Sequence, residues 1–589
     1  MRINQPFIDT PDIVDYTKDD ILTIECKHAV HCPTPKYLMD RGVKDDFHFI
    51  KEVVFLKNGE KRIHRRLVKN YKRSFYITKP AFRNHKQKKE TEELSKLIKF
   101  ECNQTELSDR IVKALELWHY AGQGIKRIFR SPYIYGAEIS STSLIKHTYD
   151  KHMESAGVSP SVYSVAGLDI ETDLDTMEIL MGTVSFKSEV LHICDRNFLK
   201  GITSPEERIH AMFQKHCADL IKTRNLKLCV LLVDSPAEVM IEMIRQLHIW
   251  KPDFCSIWNI DFEFSRFLEC AEKYQVNMAE VFSDPKVPGP FKHFWYKQGA
   301  KQKKTNSGKI TPKDPEEQWH TVITPASFRF VDAMAAYNFN RIGQGKQQNY
   351  KLSNILEVEK TGVQKLDFDY IEVKTEDTGD WHAIMQEDYK IEYCVYNIVD
   401  PIVLEVLDEK TVDLSVTLPT FSRTSDLEFY ARQPKRKIDS WHFEFLEKGH
   451  VIATTSDKMT DELDTKIFGL EDWIITLSGW TEETGLNNIV ELPNHKTNIR
   501  VFCGDLDISS SYPSNTVALN VSKATTKTEL INVEGISEFT TRMQGLNLSG
   551  GASNSVEFCR KMLGMPDSQN LISMFMQDLA NGAVPKVAQ

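Results

Sequence analysis

Two carboxylates two residues apart end an apolar segment of this chain. They are Asp169 and Glu171, in the run Leu168-Asp-Ile-Glu-Thr172. On an extended strand alternate side chains point to one face, so both carboxylates could bind one metal ion. The pattern alone is weak, because average composition predicts about two Asp-x-Glu matches in a chain of this length. Asp314-Pro-Glu316 and Asp426-Leu-Glu428 are such matches.

Two further groups of polar residues follow in the chain and give the pair its weight. Trp258-Asn259-Ile-Asp261-Phe262-Glu263 lies where a predicted strand leads into a helix. Tyr396-Asn-Ile-Val-Asp400 lies in a predicted helix, where the i, i+4 spacing places a phenol and a carboxylate on one face. We expect the acidic residues of these groups to form one site.

The carboxylates of these three groups predict a site for two hard divalent ions, Mg²⁺ or Mn²⁺. Two such ions can convert water to hydroxide and stabilise the attacking and leaving oxygens of a displacement at phosphorus. The sequence shows no C-x-x-C pair and no cluster of cysteine and histidine, which argues against zinc.

The elements that must position these residues read as an α/β domain. Three strands, which the turns between them predict to form an antiparallel meander, come first, and helices alternating with strands follow. Two Ser-Pro-x-Glu strings are typical of helix N-termini. The predicted strands are Val162–Asp169, Ile179–Phe186, Leu191–Asp195, Leu228–Val233 and Phe254–Trp258, and the helix starts are Ser204-Pro-Glu-Glu207 and Ser235-Pro-Ala-Glu238. This order is that of ribonuclease H-like domains.

Two later segments carry specific expectations. Trp381–Leu407 reads as a long helical segment, which Pro401 should kink or restart because proline removes one backbone donor. Lys297–Lys313 holds six lysines, two glycines and no acid. It is expected to be a mobile loop that touches a phosphate backbone, or simply a disordered one.

Residues 61–89 form the most one-sided charge run, with twelve Lys or Arg and no acid. Basic groups with interleaved aromatic rings are typical of surfaces for single-stranded nucleic acid, here with Arg65, Arg66, Lys72 and Arg73 as contacts. A solvated hairpin with its aromatic rings turned inward explains the same pattern equally well. The interleaved rings are Tyr71, Phe75, Tyr76 and Phe82.

Length and composition predict a multidomain globular protein. A chain of 589 residues with 41% hydrophobic and 27% charged residues can bury several cores. The net charge of −9 argues against uniform coating of nucleic acid, and the eleven scattered cysteines are expected to be reduced thiols. No signal core or membrane-spanning run appears, so a cytoplasmic location is expected.

A second acidic motif lies near the end of the sequence. The alternating segment Ile499–Leu506 predicts a half-buried strand that delivers Asp507, in the run Asp507-Ile-Ser-Ser-Ser-Tyr-Pro-Ser514. Asp505, two residues earlier on the same face, is a weaker candidate for the same role. A polar strand-to-turn connection is the alternative interpretation, because Ser, Pro and Asp favour turns.

Together these motifs resemble those of family B DNA polymerases of large tailed bacteriophages, over residues 45–589. The three acidic groups resemble the Exo I, Exo II and Exo III motifs of the DnaQ-like 3′–5′ proofreading exonuclease. The resemblance implies metal ligation by Asp169, Glu171 and Asp400 and positioning of the attacking water by Tyr396. Glu263 stands where the family has aspartate. Either Glu263 or Asp261 is the second-motif ligand, and Glu263 is favoured.

The run from Asp507 resembles motif A of the polymerase palm. By this resemblance Asp507 binds a metal with the incoming dNTP, while Ser510 and Tyr512 contact the nucleotide. Ser511 stands where the family has leucine. Only 75 residues follow Ser514, and neither D-T-D nor K-x-x-x-N-S-x-Y-G occurs in the chain. The polymerase domain is therefore expected to be incomplete alone.

The resemblance implies five regions. They are an N-terminal domain (1–160), a ribonuclease H-like exonuclease (161–410), a helical connector (411–495), the start of the palm (496–525) and the start of the fingers (526–589).

Three functions are compatible with this organisation. The first is the N-terminal part of a split replicative polymerase acting on single-stranded and primer-template DNA. A second polypeptide would supply the remaining palm, fingers and thumb, and could bring a sliding clamp. The second is a stand-alone 3′–5′ exonuclease with a vestigial palm, and the third is a non-catalytic nucleic-acid-binding protein using residues 61–89.

Overall fold

A computed structural model describes residues 10–454 except 86–87, 121, 123, 305–309, 369 and 372–377, together with the backbone of two short strands between 466 and 474. The chain divides into two compact units, Met1–Thr455 and Ser456–Gln589. The fold and the site below belong to the first unit. The predictions for Asp507, Ser510 and Tyr512 lie outside the described residues.

The N-terminal region contains two three-stranded antiparallel sheets and several helices. Strands β1, β2 and β3 form the first sheet, and β4 lies between β6 and β7 in the second. Helix α4 packs on β1. The elements are β1 (Ile21–Cys32), α1 (Lys36–Met39), β2 (Phe47–Leu56), β3 (Lys61–Lys69), β4 (Arg73–Thr78), β5 (Thr91–Glu93), β6 (Leu97–Cys102), α2 (Leu107–Leu115), α3 (Ile125–Ile128), β7 (Ile134–Tyr135) and α4 (Ser141–Ser155).

A six-stranded sheet follows, with helices on both faces. The elements of this region, which also includes two small two-stranded sheets, are β8 (Val165–Thr172), β9 (Ile179–Phe186), β10 (Glu189–Asp195), α5 (Pro205–His216), α6 (Ala218–Arg224), β11 (Lys227–Val233), α7 (Pro236–Trp250), β12 (Phe254–Ile257), α8 (Ile260–Tyr274), α9 (Met278–Phe282), β13 (Trp295–Lys297), β14 (Gln302–Lys304), β15 (Ile310–Pro312), β16 (Thr321–Ile323), β17 (Arg329–Asp332) and α10 (Ala333–Asn340).

The later elements are mostly helical. They are α11 (Leu352–Val358), α12 (Thr378–Glu387), α13 (Lys390–Thr411), α14 (Leu418–Ser422), α15 (Gln433–Glu447) and β18 (His450–Ile452), which pairs with β5, followed by β19 (Lys466–Ile467) and β20 (Leu470–Ile474). Within the described ranges, no helix is both long and apolar enough to cross a lipid bilayer.

The strand order of the large sheet is β11-β10-β9-β8-β12-β17. Strand β9 runs antiparallel to β8 and β10, whereas β12 is parallel to β8 and to β17, and β11 is parallel to β10. The antiparallel pairing of the three predicted strands is therefore confirmed. The chain as described is a mixed α/β protein with several sheets, as the composition and periodicity predicted.

Alternation along β8 separates an apolar face from a polar one. Leu168 and Ile170 pack into the core beneath α7 and α8, while Asp169 and Glu171 point to the opposite face, which α13 covers. Cross-strand register extends this face into two rows. The first row is Asp169, Thr183 and His192, and the second is Glu171, Met181 and Cys194.

Helix α13 lies against β8 because the strand carries a glycine at the contact. A Cβ built on Gly167 would lie 2.1 Å from the carbonyl oxygen of Pro401, so no other residue fits this close approach. Of the two predicted effects of Pro401, a restart of the helix is wrong, and a kink stays a prediction. The helix runs through this proline, and the break in the predicted helical segment falls between α12 and α13.

Two other local predictions have mixed outcomes. The Ser235 side chain accepts a hydrogen bond from the backbone nitrogen of Glu238 and caps α7, as predicted. Ser204 precedes α5 in the left-handed region (φ 47°, ψ 56°) and makes no side-chain capping bond, so a capping box there is wrong. Disorder throughout the lysine-rich segment Lys297–Lys313 is wrong for its described residues, because they include the paired strands β14 and β15, while its mobility and its contact with a phosphate backbone stay predictions.

Candidate metal centre

Three of the predicted carboxylates come together. Asp169 and Glu171 on β8 and Asp400 on α13 each offer one oxygen, and these oxygens lie within 4.8 Å of one another. Strand β8 supplies Asp169 and Glu171, because alternate residues of a strand point to the same face. Helix α13 supplies Asp400, and the close contact at Gly167 brings this helix next to the strand. The trio joins the acids of the first and third motifs, and the second-motif acid is not part of it.

Asp169 is fixed by a neighbouring amide. The Nδ2 of Asn397, one turn before Asp400 on α13, donates to the Oδ2 of Asp169 across 2.8 Å. Thr183 on β9 donates its hydroxyl proton to the Oδ1 of Asn397 across 2.6 Å. The amide is therefore held from both sides, and it orients the carboxylate.

Glu171 is held by a phenol. The hydroxyl of Tyr393 donates to the Oε2 of Glu171 across 2.6 Å. Because the Tyr393 hydroxyl gives its proton to Glu171, its oxygen must accept the hydrogen bond from the Nδ1 of His382 on α12, 2.9 Å away. Gln386, one turn further along α12, donates to the backbone carbonyl of Thr172 across 2.9 Å. Helix α12 thus closes the end of β8.

Asp400 is paired with a lysine. The Nζ of Lys365 lies 2.6 Å from the Oδ2 of Asp400 and 4.7 Å from the centre of the Tyr396 ring. Tyr396 and Asp400 therefore share one face of α13, as their spacing predicted, and Lys365 lies over that face. The positive charge offsets part of the negative charge that the three carboxylates bring together.

Burial raises the pKa values of all three acids, and repulsion between carboxylates adds to the effect at Asp169 and Glu171. Burial raises the pKa of Asp169 well above its usual range, and the negative charges of Asp400, Glu171 and Glu263 raise it further. Burial raises the pKa of Glu171 to about 7, against the hydrogen bond from Tyr393. Burial also raises the pKa of Asp400, although the charge of Lys365 opposes it. A cation bound among them would relieve this repulsion.

The fourth predicted carboxylate, Glu263, lies near this trio but outside its 4.8 Å limit. Glu263 is 4% exposed at the start of α8, and its pKa is raised well above the usual range by burial and by the charges of Asp332 and Glu171. Asp261 is turned elsewhere, because it accepts hydrogen bonds from Tyr296 at 2.5 Å and Gln298 at 3.0 Å.

The donor atoms present fit a hard divalent cation. The Oδ1 of Asp400 and the Oε2 of Glu263 are buried and have no hydrogen-bond partner among the described residues. Buried carboxylate oxygens without a partner are costly unless a cation or water meets them. Oxygen donors of this kind suit Mg²⁺ or Mn²⁺.

The remaining second-motif residues lie at the surface. Asn259 precedes α8, is exposed, and makes no side-chain capping bond. The Phe262 ring is 37% exposed, with the guanidinium of Arg266 lying 6.0 Å from its centre. Both side chains are accessible to a ligand that approaches the carboxylates.

The basic segment does not present its charges as predicted. Arg65 is 3% exposed and pairs with Asp12 and Asp284, and Arg73 is 1% exposed and donates to Gln104 and to the carbonyl of Gly136. Contacts of these two side chains with phosphate are therefore excluded in this structure, because both guanidinium groups are buried and already bonded to partners inside the protein. Lys72 donates to Asn103, while the side chain of Arg66 is 56% exposed.

Residues that the sequence interpretation missed complete the site. Lys365, His382, Tyr393 and Asn397 contact the carboxylates, yet the sequence interpretation named none of them. Tyr393, Asn397 and Asp400 do follow one helical stripe (i, i+4, i+7), which could have indicated two of them. Lys365 comes from a segment without a regular element and gave no signal.

A second cluster overturns one expectation. His192, Cys194 and Cys394 place one ligand atom each within 4.8 Å of one another, although the sequence shows no cysteine and histidine cluster. The register of β10 and the packing of α13 create this cluster, and no spacing in the sequence reveals it.

A comparison of the chain with protein-family models found no match, and a comparison with curated proteins found no similar protein.

Proposed function

We propose that the first unit is a metal-dependent 3′–5′ exonuclease acting on DNA. The observation that carries this proposal is the convergence of Asp169, Glu171 and Asp400 within 4.8 Å, all with raised pKa values. The strand order β10-β9-β8-β12-β17, in which only β9 is reversed, supports a ribonuclease H-like fold for this unit.

Each polar residue of the site has a defined task in this proposal. Asp169, Glu171 and Asp400 would hold Mg²⁺ or Mn²⁺, with Glu263 as the fourth carboxylate. Two bound ions supply an activated water and stabilise negative charge on the phosphate. Tyr396 positions the water beside Asp400. Lys365 places its positive charge next to the phosphate that is cleaved, which favours the more negative transition state.

The 3′ end of the substrate would approach over the start of α8. The exposed ring of Phe262 can stack on a base, and Asn259 can donate to a base or sugar. The attack places the phosphate on the released nucleotide, so the product is a nucleoside 5′-monophosphate. Glu263 follows Phe262 by one residue on the same helix, so substrate contact and metal ligation share one element.

The wider proposal is that the chain is the N-terminal part of a phage-type replicative DNA polymerase. It rests on Asp507, Ser510 and Tyr512, which lie outside the described residues. The dNTP, the partner polypeptide and the clamp stay predictions on the same basis. The non-catalytic alternative is disfavoured, because Arg65 and Arg73, two of its four proposed contacts, are buried.

A nuclease assay with purified full-length chain tests the proposal. The substrate is a 5′-labelled single-stranded oligonucleotide, with Mg²⁺ or with chelator. We expect Mg²⁺-dependent shortening from the 3′ end and loss of at least about 100-fold in rate for Asp400→Asn. Glu263→Gln should lose activity, and Asp261→Asn, two residues away on α8, should keep it within about threefold.

Each variant has a specific contrary outcome. A wild-type chain that leaves the oligonucleotide intact in Mg²⁺ and in Mn²⁺ refutes the exonuclease. Activity that survives Asp400→Asn would assign it to a contaminant. If Asp261→Asn is inactive while Glu263→Gln is active, the roles of the two second-motif acids are reversed.

A further inference from the structure

A second group of metal-ligand residues lies beneath the carboxylates, on the same face of the sheet. His192 and Cys194 are two apart on β10 and therefore point to one side, where Cys394 of α13 meets them. All three side chains are 0% exposed. Their ligand atoms lie within 4.8 Å of one another. Two bonds of about 2.0–2.3 Å to a common zinc ion span a distance close to this limit.

The hydrogen bonds around His192 define its protonation. Thr183 gives its only hydroxyl proton to Asn397, so Thr183 must accept from the Nδ1 of His192, 2.8 Å away. The Nε2 therefore carries a lone pair. This atom is buried and has no hydrogen-bond partner in the part of the chain that the structure describes. An imidazole held by its other nitrogen in this way is the usual arrangement of a metal-ligating histidine.

We propose that His192, Cys194 and Cys394 bind one zinc ion. Two sulfurs and one imidazole are the ligands that Zn²⁺ prefers, and hard ions such as Mg²⁺ do not compete for them. Binding releases the two thiol protons to solvent and forms two Zn–S bonds and one Zn–N bond, with no change of oxidation state. Complete burial means that the ion is taken up as the chain folds.

This zinc would position the exonuclease carboxylate. A row of hydrogen bonds runs from His192 through Thr183 and Asn397 to Asp169. Fixing the imidazole fixes the direction of each donor in this row. The zinc site stands independently of the proposed nuclease, because its ligands and their burial do not depend on any reaction.

Metal analysis of the full-length chain tests the proposal. The protein is produced in zinc-supplemented medium, purified with a thiol reductant, and dialysed against Mg²⁺. Elemental analysis should find about one zinc per chain, and Cys194→Ser and Cys394→Ser should lower zinc content at least tenfold. Cys255→Ser, an equally buried thiol on β12 of the same sheet, is the matched control and should keep it.

Cobalt distinguishes this site from the carboxylates. Wild-type chain unfolded with chelator and refolded in the presence of Co²⁺ should give a thiolate-to-cobalt charge-transfer band, which carboxylate ligands cannot produce. The band should persist in Asp169→Asn and disappear in Cys394→Ser. Thr183→Val keeps the three ligands but removes the acceptor of His192, and should weaken binding by about 10–100-fold.

Several results would overturn the proposal. They are a wild-type chain without zinc and without the cobalt band, a Cys194–Cys394 disulfide in the reduced preparation, or equal zinc loss in Cys255→Ser. If a serine variant does not fold, the wild-type zinc content and cobalt band decide. A protein with zinc but no nuclease activity would retain this inference and refute only the proposed function.

Discussion

The contact between Gly167 and Pro401 allows a sharp test of how the site is held together. In Gly167→Ala the new methyl group would lie 2.1 Å from the carbonyl oxygen of Pro401, 2.7 Å from its carbonyl carbon and 2.8 Å from its Cα, where ordinary contacts are 3.4–4 Å. These are backbone atoms and cannot rotate away. Helix α13 must therefore retreat by roughly 1 Å or more, at an overpacking cost of about 1–3 kcal/mol.

The retreat moves the carboxylates apart, because Asp400 precedes Pro401 and Asp169 follows Gly167 by two residues. A displacement of about 1 Å at a reacting centre costs about 100-fold in rate. Urea unfolding should show the loss of stability, and the exonuclease assay the loss of activity. Gly343→Ala is the control, since nothing lies within 4 Å of its added Cβ. A Gly167→Ala chain with wild-type stability and rate would refute this account of the site.

Three further predictions concern the charges and hydrogen bonds. Tyr393→Phe removes the donor at 2.6 Å from Glu171, whose pKa of about 7 should rise further, so Mg²⁺ affinity should fall at pH 7 and recover at pH 9. Tyr370→Phe, which loses only a hydrogen bond to the half-buried Glu392, should match wild type in the same titrations. Mg²⁺ at about 100 times its Kd should stabilise the protein by about 2.7 kcal/mol in thermal melts, and an equal gain in Asp400→Asn would contradict ligation by that residue. Lys51→Met removes the buried partner 2.7 Å from Asp253 and should cost about 3–5 kcal/mol in urea unfolding at pH 7. Burial alone would raise the pKa of Asp253, but the charge of Lys51 and its neighbours lowers it to about 2. The lowered pKa of Asp253 contributes about 2 kcal/mol to the free energy of unfolding. This contribution is complete above pH 3.8 and is lost as the pH falls through 2. A stability difference that does not narrow over this range would show that the pair is not the cause.

The residues that could be predicted from the sequence are those set by local periodicity. Alternation along β8 placed Asp169 and Glu171 on one face, and helical spacing placed Tyr396 with Asp400. The burial of Arg65 and Arg73 could not be predicted, because it depends on partners far away in the chain, such as Asp284 and Gly136. A run of basic residues in a sequence does not show which way the side chains point. A basic segment is therefore compatible with side chains that face solvent and with side chains that face the interior.

The position of the helix break also could not be predicted from local sequence rules. Pro401 removes one backbone hydrogen bond, and local rules therefore favour a restart at that residue. Its carbonyl oxygen instead approaches Gly167, and the helix around it packs into a continuous apolar core. Tertiary packing outweighs the lost bond, and the break moves to the junction of α12 and α13.

The consequence is that one helix carries three of the groups that build the site. Tyr393, Asn397 and Asp400 form a single stripe along α13, and the stripe meets the two carboxylates of β8. Cys394 lies on the same helix and faces β10, so this proposed zinc ligand and the carboxylate of Asp400 move together as one rigid element. A change in the seating of α13 should therefore alter metal binding at both places. Independent behaviour of the two sites in the Gly167→Ala chain would show that the helix does not move as one body.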